Sequence, residues 1–270
     1  AHKKGLPVHY YISPQIWAWK ENRIKAIKRD VDELYVILPF EKDFYEAKHH
    51  FPVEFVGHPL IDAIHNRIKT DEASFRKENN LNEKPIIAVL PGSRKQEISK
   101  MLSVMLSIVS DFPDYQFVIA GAPSQEYHFY TPFLTNENVK FISNKTYDLL
   151  SIATAALVTS GTATLETALF KVPEVVCYKG SWASYQIAKR IITLKYISLV
   201  NLIMDEVVVT ELIQDKFNPK NLKQELSKLL EENHRKVLLK KYDDLESKLG
   251  GVGASEKTAK IIVKVLKNLA

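Results

Sequence analysis

Two five-residue runs, Ile86–Leu90 and Ala155–Thr159, are almost wholly apolar, end on a turn of small residues, and lead into helical spacing. Successive side chains on a strand point to opposite faces, so a run that is apolar throughout must be covered on both sides. A parallel sheet held between layers of helices meets that demand. The two turns read Pro91-Gly92-Ser93-Arg94 and Ser160-Gly161-Thr162-Ala163. A small-residue turn that opens a helix leaves backbone N–H groups pointing outward, which is the physical basis of anion binding. Arg94 stands in one turn, and Glu166 lies one helical turn beyond the other. The pair points to a site for a sugar nucleotide, with its diphosphate on the N–H groups.

The same alternation runs through most of the chain. Strands are expected over residues 8–12, 34–38, 53–56, 116–120, 139–142 and 174–178, besides the two already named. Helices are expected over residues 15–29, opened by Ser13-Pro14, and over 39–49, 96–110, 163–170 and 183–194. Charged amphipathic helices follow over 221–232 and 235–249. After Gly250-Gly251-Val252-Gly253, Ser255 is read as the cap of a final helix over 256–269. Strands and helices joined by two to six residues define the α/β class.

With 270 residues there is room for about two domains. The polar, charged stretch from about 66 to 84 is the expected boundary between them. The expected division is 1–65 as part of a first Rossmann-like domain, 66–250 as a second that holds the nucleotide, and 251–270 as a helix packing back on the first domain or on a partner copy. No βα unit precedes residues 8–12, so the first domain is expected to be incomplete.

The formal net charge is +5, but Lys and Arg are interleaved with Asp and Glu, which argues against nucleic acid. A modest positive balance suits anionic ligands or an anionic membrane surface. Cys177 is the single cysteine, so no intrachain disulfide can form, and a reducing compartment such as the cytoplasm is favoured. Its apolar neighbours Val175, Val176 and Tyr178 make it a structural thiol. His49-His50 has no third ligand at metal-site spacing, so a metal site is rejected.

Each candidate residue also has a plainer reading. Gly92, Ser93 and Arg94 could form an ordinary tight turn with an exposed Arg. Ser160, Gly161, Thr162 and Glu166 could form a helix start, with Thr162 as cap and Glu166 as a favourable early acid. Only their convergence at one sheet edge makes them a pocket. His58, between Gly57 and Pro59, is either a cleft residue or a structural spacer. Asn201 either aims its amide into the cleft or caps a turn. Trp17 and Trp19 beside a basic helix are either a membrane-interface feature or core and rim residues, and Trp17 shares the face of the apolar positions.

Several segments together resemble one family. They are Tyr11-Ile12-Ser13-Pro14-Gln15-Ile16-Trp17-Ala18-Trp19, Leu38-Pro39-Phe40-Glu41-Lys42-Asp43-Phe44-Tyr45 and Phe55-Val56-Gly57-His58-Pro59-Leu60. Leu90 to Arg94, Thr159 to Glu166, Ala188-Lys189-Arg190, Tyr196 to Leu202 and Glu211 to Gln214 continue the series. The set is similar to lipid-A-disaccharide synthases, bacterial inverting glycosyltransferases with a GT-B fold of two Rossmann-like halves.

The resemblance implies transfer from UDP-2,3-diacylglucosamine to 2,3-diacylglucosamine 1-phosphate, with release of UDP. It puts Gly92, Ser93 and Arg94 on the diphosphate. Ser160, Gly161, Thr162 and Glu166 hold phosphate and ribose, and Asn201 lines the same pocket. It implies no metal or redox cofactor, a peripheral place at the cytoplasmic face of the inner membrane, and a C-terminal region able to join a homodimer interface. The family's opening Gly-Glu-Ala-Ser-Gly-Asp loop has no counterpart here, so the general base is expected outside this sequence. The alternatives are a UDP-N-acetylglucosamine epimerase-like enzyme on the same fold, or a UDP-binding module without turnover.

Overall fold

A computed structural model describes residues 6–180 and 195–269, which fall into two compact units. The helix expected over 183–194, with Ala188-Lys189-Arg190, lies outside the described residues. One unit comprises the described residues up to Arg67 and those from Asp243 onward; the other runs from Ile68 to Tyr242.

In the first unit, strands β1 (His9–Tyr11), β2 (Glu33–Val36) and β3 (Glu54–Phe55) form a parallel sheet in that order. Ile16, Ile24, Ile27, Leu34, Val36, Tyr45 and Val53 make its core. The helix expected over residues 15–29 forms only in its second half, as a 3₁₀ turn at Glu21–Arg23 and an α-helix at Ile24–Asp30. Glu41 explains the difference. It is 1% exposed, and its carboxylate accepts hydrogen bonds from Ser13 Oγ (2.9 Å), Trp17 Nε1 (3.2 Å) and the N–H groups of Ile37 (3.1 Å) and Leu38 (2.9 Å). Side chains held this way fix residues 13–17 as a loop, and Lys20 then turns the chain with φ of 55°. Trp17 is thus partly buried, edge-on to Phe40, while Trp19 is exposed.

The last helix, Ala254–Leu269, begins one residue before Ser255, so Ser255 sits in its first turn and is not its cap. Instead, the Asp62 carboxylate accepts from the N–H groups of Gly253 (2.6 Å) and Ser255 (3.0 Å). A carboxylate from a distant segment does the capping, which no local pattern reveals.

The second unit is built on six parallel strands: β4 (Ile86–Leu90), β5 (Gln116–Gly121), β6 (Val139–Ser143), β7 (Ala155–Thr159), β8 (Glu174–Tyr178) and β9 (Thr210–Ile213). Their spatial order is β6-β5-β4-β7-β8-β9. The chain steps outward from β4 through β6, returns to the other side of β4, and steps outward again from β7. β4 and β7 pair from Ile87↔Ala155 to Leu90↔Val158, and the direction of winding reverses between them. All five residues of β4 and of β7 are buried, as their apolar character requires. The helix Lys95–Met105 buries Ile98, Met101, Leu102 and Met105, and the helix Pro219–Leu230 buries Leu222, Leu226 and Leu229. Both follow helical periodicity.

Sequence patterning misses β9 and the short helices Pro59–His65, Glu72–Glu78, Thr146–Ile152 and Leu199–Met204. Glu72–Glu78 forms inside the polar stretch expected as the domain boundary. Its inward face is Phe75 with Arg76, whose guanidinium donates to Glu72 and to the Asn82 and Lys84 carbonyls. A two-turn helix satisfied by polar bonds carries too little apolar signal to stand out.

Glu174 opens β8 fully buried, and neither carboxyl oxygen has a hydrogen-bond partner. Burial holds its pKa well above the ordinary 4.5, so the native state keeps a proton that the unfolded chain releases. Stability therefore falls as pH rises above that ordinary value, by about 1.4 kcal/mol per pH unit until the native group ionises. Glu174→Gln removes this dependence. In thermal melts from pH 5 to pH 8, the melting temperature of Glu174→Gln should gain steadily on that of the unsubstituted chain; parallel curves would contradict the assignment.

Candidate functional site

The turns after β4 and β7 leave the same, carboxyl edge of the sheet, side by side. With the turn after β5 they enclose a cleft of about 350 Å³. Its walls are Leu90–Ser93 from the first turn, Ala120–Pro123 from the β5 edge, and Thr159–Ala163 with Glu166 from the third; Thr146 closes one side. Ser124 Oγ donates to the Ser93 carbonyl at 3.0 Å, tying two of the turns together. The Ala122 N–H donates to the buried Tyr130 hydroxyl at 2.9 Å, which fixes the wall between them.

Backbone conformation accounts for the two key glycines. Gly92 has φ of +96° and Gly161 +149°, both in territory that side chains rarely enter. A Cβ on Gly92 would also meet Thr159 Cγ2 at 3.4 Å, whereas one on Gly161 would meet nothing within 4 Å. Gly161 is the residue before the helix Thr162–Leu169, so the expected cap position moves from Thr162 to Gly161. Among the described residues, no hydrogen bond uses the N–H of Gly92, Ser93, Gly161 or Thr162. Free donors at the mouths of two helices favour a negatively charged occupant.

Glu166 lines the cleft as the turn geometry requires, and it has a partner that the sequence reading missed. The Tyr147 hydroxyl donates to Glu166 Oε1 at 2.9 Å, and the Tyr147 ring lies against Phe170. Burial first, and the Glu166 carboxylate second, push the Tyr147 pKa up, so its hydroxyl remains a donor throughout the physiological range. Tyr147 belongs to the short helix Thr146–Ile152, and the signal that could have found it is the pair of apolar residues Leu149-Leu150. One carboxylate oxygen of Glu166 is thus anchored, at the wall of the cleft.

The remaining candidates are placed differently from one another. Arg94 is outside the cleft lining; its side chain is 81% exposed and pairs with Glu97 at 3.2 Å. Ser160 lines the cleft, but its hydroxyl donates to the Ile197 carbonyl at 2.9 Å. Asn201 is fully buried and caps a turn. Its amide nitrogen donates to the Val209 carbonyl (2.9 Å) and Glu211 (3.0 Å), and its oxygen accepts from the N–H groups of Val208 (2.8 Å) and Val209 (2.9 Å). With all four bonds spent, its amide has nothing left for a ligand, so the cleft-facing alternative fails.

His58 belongs to the first unit, where it precedes the helix Pro59–His65 and accepts the Leu60 N–H on Nδ1 at 3.2 Å. Burial lowers its pKa to about 4, which makes it a neutral capping residue. Among the described residues, no cluster of three His, Cys, Asp or Glu side chains could hold a metal ion.

A parallel sheet with two small-residue turns at its switch point fits several sugar-nucleotide enzymes, and comparison with known proteins decides among them. Residues 1–265 match the family described as lipid-A-disaccharide synthetase. The lipid-A-disaccharide synthase of Coxiella burnetii (strain CbuG_Q212) is 40% identical over 268 residues, covering 97% of this chain and 70% of that protein. The chain belongs to the lipid-A-disaccharide synthase family. The synthase of Idiomarina loihiensis is 37% identical over 278 residues, covering 98% of this chain and 71% of its own. Among solved structures, a UDP-GlcNAc 2-epimerase from Neisseria meningitidis, bound to UDP-GlcNAc, aligns with a TM-score of 0.65 at 17% identity, over 98% of this chain and 71% of that one. That likeness shows the fold, an α/β architecture of the GT-B kind. Family membership makes the activity that of a glycosyltransferase of lipid A biosynthesis.

Tyr147→Phe tests the anchoring of Glu166. It should leave the melting temperature nearly unchanged and weaken UDP binding about fivefold to tenfold in calorimetric titration, part of the worth of one hydrogen bond to a charged group, because the bond orients Glu166 and does not itself touch the ligand. Unaltered affinity would show that Glu166 needs no anchor.

Proposed function

We propose that the cleft at the β4–β7 switch point holds the UDP part of UDP-2,3-diacylglucosamine and that the chain contributes this donor site to synthesis of the lipid A disaccharide. The observation that carries the reading is the convergence of two turns with unused N–H groups beside the anchored Glu166. The diphosphate sits across Gly92-Ser93 and Gly161-Thr162, and Glu166 accepts hydrogen bonds from ribose hydroxyls. Arg94 stands one residue past the cleft wall. Exchanging its exposed pairing with Glu97 for a phosphate costs little, because surface ion pairs contribute at most about 1 kcal/mol.

In the reaction, a hydroxyl of 2,3-diacylglucosamine 1-phosphate forms a bond to the donor's anomeric carbon while the bond from that carbon to the diphosphate breaks. The electron pair leaves with UDP, and the hydroxyl proton passes to a base. Developing charge on the leaving diphosphate meets helix N-termini and Arg94, which stabilise it more than they do the intact donor. No residue of the chain is assigned as the base.

The lipid substrates place the protein at the cytoplasmic face of the inner membrane as a peripheral protein. No helix among the described residues is long and apolar enough to cross a bilayer. Trp19 is 52% exposed, with Lys20 Nζ 4.4 Å from its ring centroid, which suits an anionic interface. A homodimer through the C-terminal region remains part of this reading.

The test combines titration with turnover. The chain should bind UDP, and Arg94→Ala and Glu166→Ala should each weaken binding about tenfold or more without lowering the melting temperature by more than a few degrees. Transfer measured with both lipid substrates should release UDP only when the acceptor is present. Epimerisation of UDP-N-acetylglucosamine without an acceptor, or UDP affinity indifferent to both substitutions, would contradict the reading.

A further inference from the structure

Thr159 is the last residue of β7, at the point where β4 and β7 part. It is 92% buried by its 8% exposure, it lines the cleft, and its Oγ1 has no hydrogen-bond partner. Its neighbours in the cleft are otherwise accounted for. The Ser160 hydroxyl is bonded to Ile197, and Glu166 is bonded to Tyr147. The Thr159 side chain packs on the bare face of Gly92, with Cγ2 3.4 Å and Oγ1 3.8 Å from the position a Cβ would take. The hydroxyl therefore lies beneath the first anion-binding turn and immediately before the second.

A buried hydroxyl without a partner has given up its bonds to water and gained none in return, so such groups are rare in folded proteins. Valine has the same shape and carries no such cost, and the strand already holds Val158 beside it. A threonine here is a liability to the free protein and an asset only when something in the cleft accepts its proton.

We propose that the Thr159 hydroxyl donates a hydrogen bond to a phosphate oxygen of the bound nucleotide, as the floor of the diphosphate site. The inference rests on the UDP reading of the cleft and adds a residue that reading did not include. A hydroxyl has one proton to give and a phosphate oxygen only accepts, so the pairing is complete. The backbone donors of Gly92, Ser93, Gly161 and Thr162 approach from the two turns, and Thr159 approaches from the strand end between them. It is then a binding residue that also discriminates, since an occupant without an acceptor at that point leaves the hydroxyl unsatisfied.

The experiment compares Thr159→Val and Thr159→Ser with the unsubstituted chain by calorimetric titration with UDP and by thermal melting without ligand. Thr159→Val should weaken UDP binding about tenfold and leave the melting temperature equal or higher, because it removes an unsatisfied group and keeps the contact with Gly92. Thr159→Ser should retain affinity within about threefold. Thr159→Val with unaltered UDP affinity would overturn the inference while leaving the UDP reading standing. A loss of affinity shared by both variants and accompanied by a fall in melting temperature would also overturn it, by showing that the side chain serves packing. An unsubstituted chain that does not bind UDP would overturn the UDP reading itself, and this inference with it.

Discussion

The pairing of β4 with β7 is the constraint on which the site depends. The chain forms β5 and β6 on one side before it returns to lay β7 against the other flank of β4. Because all these strands are parallel, both of their exits lie at one edge, and the reversal of winding leaves a crevice that no crossover helix fills. The apolar character of both strands makes this arrangement obligatory. Neither can sit at a sheet edge or face water without exposing four or five buried side chains. The same burial that stabilises the sheet brings Gly92 and Gly161 together.

Elsewhere in the molecule, polar groups are used with great economy. Glu41 collects four donors from two segments, Asp62 caps the helix Ala254–Leu269 through the Gly253 N–H, 191 residues along the chain, and Glu211 accepts from Ile197, Ser198 and Asn201. Each of these acceptors converts a loop into a fixed structure by taking N–H and O–H groups that would otherwise be orphaned. The cleft stands out against that background. Its turns keep N–H groups unused, and a threonine hydroxyl at its base has no partner. Backbone and hydroxyl donors left unspent together in one concave place are what an anionic ligand needs. Glu174 is the contrasting case: its unpartnered oxygens lie in the fully buried core, where they make stability depend on pH.

Much of this was legible in the sequence, and the limits have physical causes. β4, β5, β7 and β8 declared themselves because a fully buried parallel strand must be apolar at nearly every position. The glycine turns and Glu166 could be read because a strand, a small-residue turn and a helix have one geometric outcome. The loop at residues 13–20 could not, since it is held by Glu41, more than twenty residues away, against a local pattern that favours helix. The cap of the last helix is hidden for the same reason. Tyr147 escaped because its helix has only two turns, and Thr159 because a threonine ending a strand is unremarkable until its hydroxyl is found without a partner. Asn201 lay within a family-like segment yet serves its own turn, so a motif located the segment correctly and left the role of the side chain open.

In the proposed complex, the nucleotide occupies the two turns at the β4–β7 switch point. Amide hydrogen exchange of the whole chain with and without saturating UDP tests it most directly, because exchange reports each backbone segment separately. UDP should slow exchange in the segments 91–95 and 160–166 and leave the rest of the second unit little altered. Protection elsewhere, with those two segments exchanging as they do in the free protein, would contradict it.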